Sequence, residues 1–154
     1  MKDPARFYRE SAVRGASPVG LIVILYEETI RSLRKAQTAL KQKNIEQRTL
    51  ELTHAIKVIG HLQSVLDFDR GGAVARNLWN FYNAARTAIL NANRESGNEI
   101  LESLAADFSN VAQAWQQVDR EITTSSAGEA SLAAISSAHA ADLVGSLNSR
   151  GDRS

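Results

Sequence analysis

The chain has 154 residues, 44% hydrophobic and 23% charged, and a net charge of +1. That length suffices for one domain burying roughly 70% of its unfolded surface, while so small a charge gives no general attraction to nucleic acid or anionic membrane. The absence of cysteine excludes disulfides, thiol catalysis and zinc–thiolate sites. No apolar run approaches the ~18 residues of a membrane span, and residues 1–15 lack the apolar stretch of a signal peptide. A cytoplasmic protein without membrane insertion is expected.

Residues 1–16 read as an N-terminal segment, 17–122 as a helical domain and 123–154 as a linker, a short tail helix and a polar end. Ser17-Pro18 is a helix start, because serine caps free N–H groups and proline suits the first helical position. The first helix runs to about Lys43, with Ile22, Leu25, Tyr26, Thr29, Leu33, Ala36 and Leu40 inward and Glu27–Arg31 paired on the outer face. Ile24 falls on the opposite side. Asn44, with Gln47 three residues on, predicts a capping box for a second helix. Its inward row is Ile45, Leu52, Ala55, Ile56, Ile59, Leu62 and Leu66.

Asp67 to Gly72 breaks that helix, since paired glycines tolerate positive φ. A third helix then buries Val74, Leu78, Phe81, Tyr82, Ala85 and Ile89, and fades at Asn93–Gly97. Asn98 is the expected cap of a fourth, striped by Leu101, Leu104, Ala105, Phe108, Val111, Ala112, Trp115 and Ile122. Connections of about four to seven residues favour antiparallel neighbours. The expected fold is all-α: an up-down antiparallel four-helix bundle with an additional C-terminal helix. That last helix rests on Leu132, Ile135, His139, Leu143 and Leu147, at spacings of three and four beyond a Ser/Thr/Gly linker.

Catalytic constellations are absent. His54 and His61 stand two turns apart, roughly 10 Å by helical rise, too far for one metal. Glu51-x-x-His54 matches half of a di-iron motif, with no second copy to complete it. No phosphate loop or dinucleotide fingerprint occurs. Neither an enzyme nor a cofactor is expected.

Apolar surface left over after the core is filled is the more telling feature. On the second helix Leu50, His54, Val58, His61 and Val65 line a second side, about 140° from the first, and on the third Trp79, Asn83, Arg86 and Leu90 do the same. Together these rows predict a groove for a partner chain, with Trp79 as its large anchor.

The residues in order now carry a resemblance. Tyr8, Ser17-Pro18, Leu21-Ile22 and Leu25-Tyr26, followed by Leu62, Val65-Leu66-Asp67, Gly71-Gly72, Asn77-Leu78, Phe81-Tyr82, Ala92-Asn93 and Trp115, resemble the FliS family of flagellar export chaperones over roughly residues 6–120. Glu27-Glu28-Thr29 and Ala84-Ala85-Arg86 depart from the usual pattern, and Phe81 replaces a leucine. The resemblance implies a bundle that binds the disordered C-terminal segment of flagellin, prevents its premature polymerisation and hands it to a component of the flagellar export gate. Tyr8, Ile24, Leu50, His54, Val58, His61, Val65, Trp79, Asn83, Arg86 and Leu90 are the expected partner-binding residues. Self-contact through the tail helix, a self-associating helical scaffold and a small bundle enzyme or metal protein are the alternatives.

Overall fold

A computed structural model describes residues 17–92 and 97–124. Within them lie four helices and no strand: α1 (Pro18–Lys41), α2 (Ile45–Ser64), α3 (Phe68–Asn91) and α4 (Gly97–Thr124). Each packs on its neighbours in chain order and α1 also packs on α4, while α1 and α3, diagonal across the bundle, meet through the side chains of Tyr26 and Tyr82. This is the closed square of an antiparallel four-helix bundle. Contact is densest around α1, while α3 makes the two sparser interfaces. The expected tail helix lies outside the described residues.

Local chemistry sets the helix ends. The Ser17 hydroxyl accepts from the Gly20 N–H at 3.0 Å and donates to Asp119 Oδ1 at 2.8 Å, so one side chain caps α1 and ties it to the end of α4. At the other end of α1, Lys43 takes φ 57° and the Asn44 N–H reaches back to Ala39 O at 2.9 Å, a Schellman closure. Asn44 Oδ1 accepts from the Gln47 N–H at 3.1 Å, but the Gln47 side chain donates to Glu51 and does not return to the cap. Only half of the expected capping box forms. The turns 42–44 and 65–67 have three residues each, tighter than the sequence suggested.

The α2–α3 connection departs most from expectation. Asp67 Oδ1 accepts from the N–H groups of Asp69 and Arg70, at 3.1 and 3.0 Å, and starts α3 before the glycines. Gly72 then breaks the helix at φ 50°, ψ −122°, a region where a side chain is strained. The bend folds the opening turn back along the rest of α3. Phe68 and Trp79 would lie about 16 Å apart along a straight helix, yet their ring centroids are 5.9 Å apart, edge to face. At Gly71 a Cβ would stand 2.9 Å from the Ala75 Cβ, so the close approach needs glycine for a separate reason.

The core is built as the apolar periodicity requires. Tyr26, Leu33, Leu52, Ile59, Leu62, Leu78, Tyr82, Ile89, Leu101, Phe108 and Val111 are sealed, each Leu or Ile contributing roughly 1.5–3 kcal/mol by burial. Ile22, Leu25, Leu40, Trp115 and Ile122 are only half-buried. Four aromatic rings meet at mid-height, with centroids 4.9 Å apart for Phe81–Phe108 and 5.5 Å for Tyr26–Phe108. Two of these residues bring hydroxyls into an apolar interior. Tyr26 and Tyr82 satisfy each other at 2.6 Å, avoiding the ~1–3 kcal/mol cost of a buried unpaired group. Burial pushes both phenols well above the usual tyrosine range, and for Tyr82 the neighbouring phenol adds to the rise. The Trp115 indole N–H offsets part of the rise at Tyr26 without reaching hydrogen-bond geometry.

Candidate functional site

Leu50 and Leu90 are each 61% exposed, and Val65 and Trp79 are also open to solvent. Val58 is not: at 8% exposure it belongs to the core. The reason is angular. Val58 lies about 40° around α2 from His54, on the side nearer the buried row of Ala55, Ile59 and Leu62. His61, Asn83 and Arg86 are exposed, Ile24 is half-buried, and Tyr8 lies outside the described residues.

The two leftover rows do not line one groove. His54 Nε2 meets Glu28 Oε1 of α1 at 3.0 Å, and Arg31 holds the other Glu28 oxygen at 2.7 Å. The expected Glu27–Arg31 pair is therefore replaced by a pair at spacing three. Leu50, His61 and Val65 lie within about 40° of His54 around α2, so this row runs along the α1 flank. Gln63, nine residues from His54, is about 900° further round, which is the opposite side. It faces α3: Gln63 Nε2 donates to Asn83 Oδ1 at 2.9 Å, and its Oε1 accepts from Arg86 at 2.9 Å. Trp79, Asn83, Arg86 and Leu90 share one face of α3, and Asn83 and Arg86 turn that face toward α2.

The surface between α2 and α3 thus has its own composition. Ile45 lies eighteen residues, about five full turns, before Gln63 and so on the same side of α2. It is 65% exposed, although its periodicity placed it inward. Phe68, 46% exposed over Trp79, is a second apolar side chain that sequence reasoning missed. Gln63 is the third: it is buried, and the one available signal was a glutamine within an otherwise apolar row. The groove therefore offers Phe68, Trp79 and Leu90 around a hydrogen-bonded floor of Gln63, Asn83 and Arg86, with Ile45 on the same side of α2 about 27 Å further along that helix. Between residues 73 and 91 the only charged side chains are Arg76 and Arg86, so the α3 side is basic.

This arrangement suits recognition. Exposed aromatic and aliphatic groups supply area, and the amide and guanidinium groups on the floor supply partners for a polar or main-chain group. Among the described residues no three His, Asp or Glu side chains converge as metal ligands would, and no helix is long and apolar enough to cross a membrane.

Known proteins share this chain's pattern over nearly all of the bundle. A curated relative from Salmonella typhimurium, flagellar secretion chaperone FliS, is 34% identical over 77% of this chain and 88% of its own length. Flagellar secretion chaperone FliSB of Pseudomonas aeruginosa is 28% identical over 77% of this chain and 94% of its own. FliS of Vibrio cholerae is 27% identical over 80% of this chain and 90% of its own. The family profile described as flagellar protein FliS runs from residue 1 to residue 122, through all four helices to within two residues of the end of α4, and on that match the chain belongs to the FliS family.

Proposed function

We propose that this protein is a cytoplasmic export chaperone that binds the disordered C-terminal segment of flagellin, keeps it from polymerising and delivers it to a component of the flagellar export gate. It performs no catalysis. The names of its relatives as flagellar secretion chaperones support the role. The observation that carries the binding reading is the row of uncovered apolar side chains on α3, Trp79 and Leu90 with Phe68 folded over Trp79, beside a polar floor. A partner that orders on binding needs such a track more than a deep cavity. The α1 flank, with Leu50, His54, His61 and Val65, supplies a second strip.

Titration calorimetry of the purified protein with a peptide of the flagellin C-terminal segment tests this. Binding near one to one is expected. Trp79→Ala costs about 2 kcal/mol of binding, a factor of roughly thirty, as removal of an anchoring tryptophan does. No heat of binding to the peptide, with the bundle intact by circular dichroism, overturns the reading. Light scattering in which mass grows with concentration favours the self-associating scaffold instead.

A further inference from the structure

The family match stops at residue 122 and α4 at Thr124, so the remaining 30 residues lie beyond both. Their sequence is not that of an inert tail. Leu132, Ile135, His139, Leu143 and Leu147 repeat at helical spacing, and as a helix this row spans about 22 Å. Residues 125–149 contain Glu129 and Asp142 and no lysine or arginine. The α3 face from 73 to 91 carries the reverse balance, Arg76 and Arg86 with no acid, beside exposed Trp79 and Leu90.

Topology puts the two within reach. The Ser17–Asp119 hydrogen bond places the end of α4 at the start of α1. Because α1 and α2 run antiparallel through the His54–Glu28 contact, the same end of the bundle holds the end of α2 and the Phe68–Trp79 pair. α4 packs directly on α3. Residues 125–131 stretch to about 23 Å if extended, more than twice the 8–10 Å between packed helix axes.

We infer that residues Leu132–Leu147 dock as an amphipathic helix in the α2–α3 groove of the same molecule, their leucine row over Trp79 and Leu90 and their one acidic residue, Asp142, toward the arginines of α3. A helix this short is marginal alone. Tethering supplies an effective concentration in the millimolar range, at which weak docking suffices. The N-terminal segment is a poorer occupant, since its large apolar residues Phe7, Tyr8 and Val13 fall in no comparable row. The inference does not depend on flagellin binding, and its test contains no client.

The chain's two tryptophans are Trp79 and Trp115, so full-length Trp115→Phe protein reports on Trp79 alone. Acrylamide quenching of Trp79 should rise two- to threefold, with a red-shifted emission, when Leu143→Asp and Leu147→Asp are introduced together. Asp142→Lys should raise it by a smaller factor. In the unsubstituted chain, amides 132–147 should resist hydrogen exchange, and the two Asp substitutions should abolish that protection; this measurement stands if Trp115→Phe disturbs the fold. Unchanged quenching and unchanged exchange overturn the inference. Shielding that fades on dilution assigns the groove to a second copy, and shielding lost with Tyr8→Asp but kept with the tail substitutions assigns it to the N-terminal segment. Either result also overturns it.

Discussion

The same substitution, glycine to alanine, should have opposite effects at two positions, with signs set by backbone angle and free space. Gly72 sits at φ 50°, ψ −122°, where an alanine Cβ meets its own backbone even though no other atom lies within 4 Å. Holding alanine there costs about 2 kcal/mol. For a bundle of this size that lowers Tm by roughly 6–10 °C. At Gly60 an added Cβ would likewise meet nothing within 4 Å, but this residue lies inside α2 with ordinary helical geometry. Alanine there removes unfolded-state entropy and stabilises by about 0.5–1 kcal/mol, raising Tm by roughly 2–4 °C. Gly71→Ala should fall below the parent for a third reason, its Cβ being 2.9 Å from that of Ala75. Thermal unfolding followed by circular dichroism reads all three. A Gly72→Ala protein melting at or above the parent would refute the bend assigned to residues 68–79, and a Gly60→Ala protein melting below it would refute the free space read at Gly60. Trp79 fluorescence gives a local check, since losing the bend withdraws Phe68 from its ring.

The remaining expectations concern the phenol pair and the anchor. Tyr26→Phe or Tyr82→Phe strands the other hydroxyl in the core and should cost about 1–3 kcal/mol each, while the double substitution costs less than the two added, as a double-mutant cycle of melts will measure. Both phenols have raised folded values, so the folded state keeps its protons where the unfolded chain loses them. The stabilisation is whole below about pH 10 and declines above it, by up to ~1.4 kcal/mol per pH unit for each phenol. Phenolate absorbance should accordingly show two of the three tyrosines ionising only as the protein unfolds at alkaline pH. Trp79→Ala should leave the melt within about 1 kcal/mol of the parent, because the ring is partly open and meets Phe68 edge to face at the surface; a larger loss of stability places Trp79 in the core.

Much of the bundle was legible in the chain. Ser17-Pro18 reads as a helix start and is one, because capping is a local event between neighbours in sequence. Tyr26, Leu33, Ile59, Tyr82 and Phe108 read as core because a 3.6-residue period marks a face. What a period cannot give is the identity of the helix that face meets. Val58 and Leu50 belong to one row around α2, yet the first is buried and the second open. Ile45 read as inward and is open, because its side of α2 faces the sparsely packed interface with α3. Asn98, read as a cap, lies within the first turn of α4 and accepts from Gln37 of α1 at 3.2 Å. Phe68 was hidden by the glycines after it, since the break lies inside the helix rather than before it. The leftover rows were visible as composition, but their division between two flanks of α2 depended on Glu28, 26 residues from His54, and on Arg86, 23 residues from Gln63.

That division restricts the shape of anything that touches both flanks. A straight rod laid beside α2 reaches one strip and is blocked by the helix itself from the other. Only a strand able to bend over the end of α2 occupies both, and bending requires that its own secondary structure be interrupted midway. A body held in one rigid shape therefore reaches at most one of the two strips.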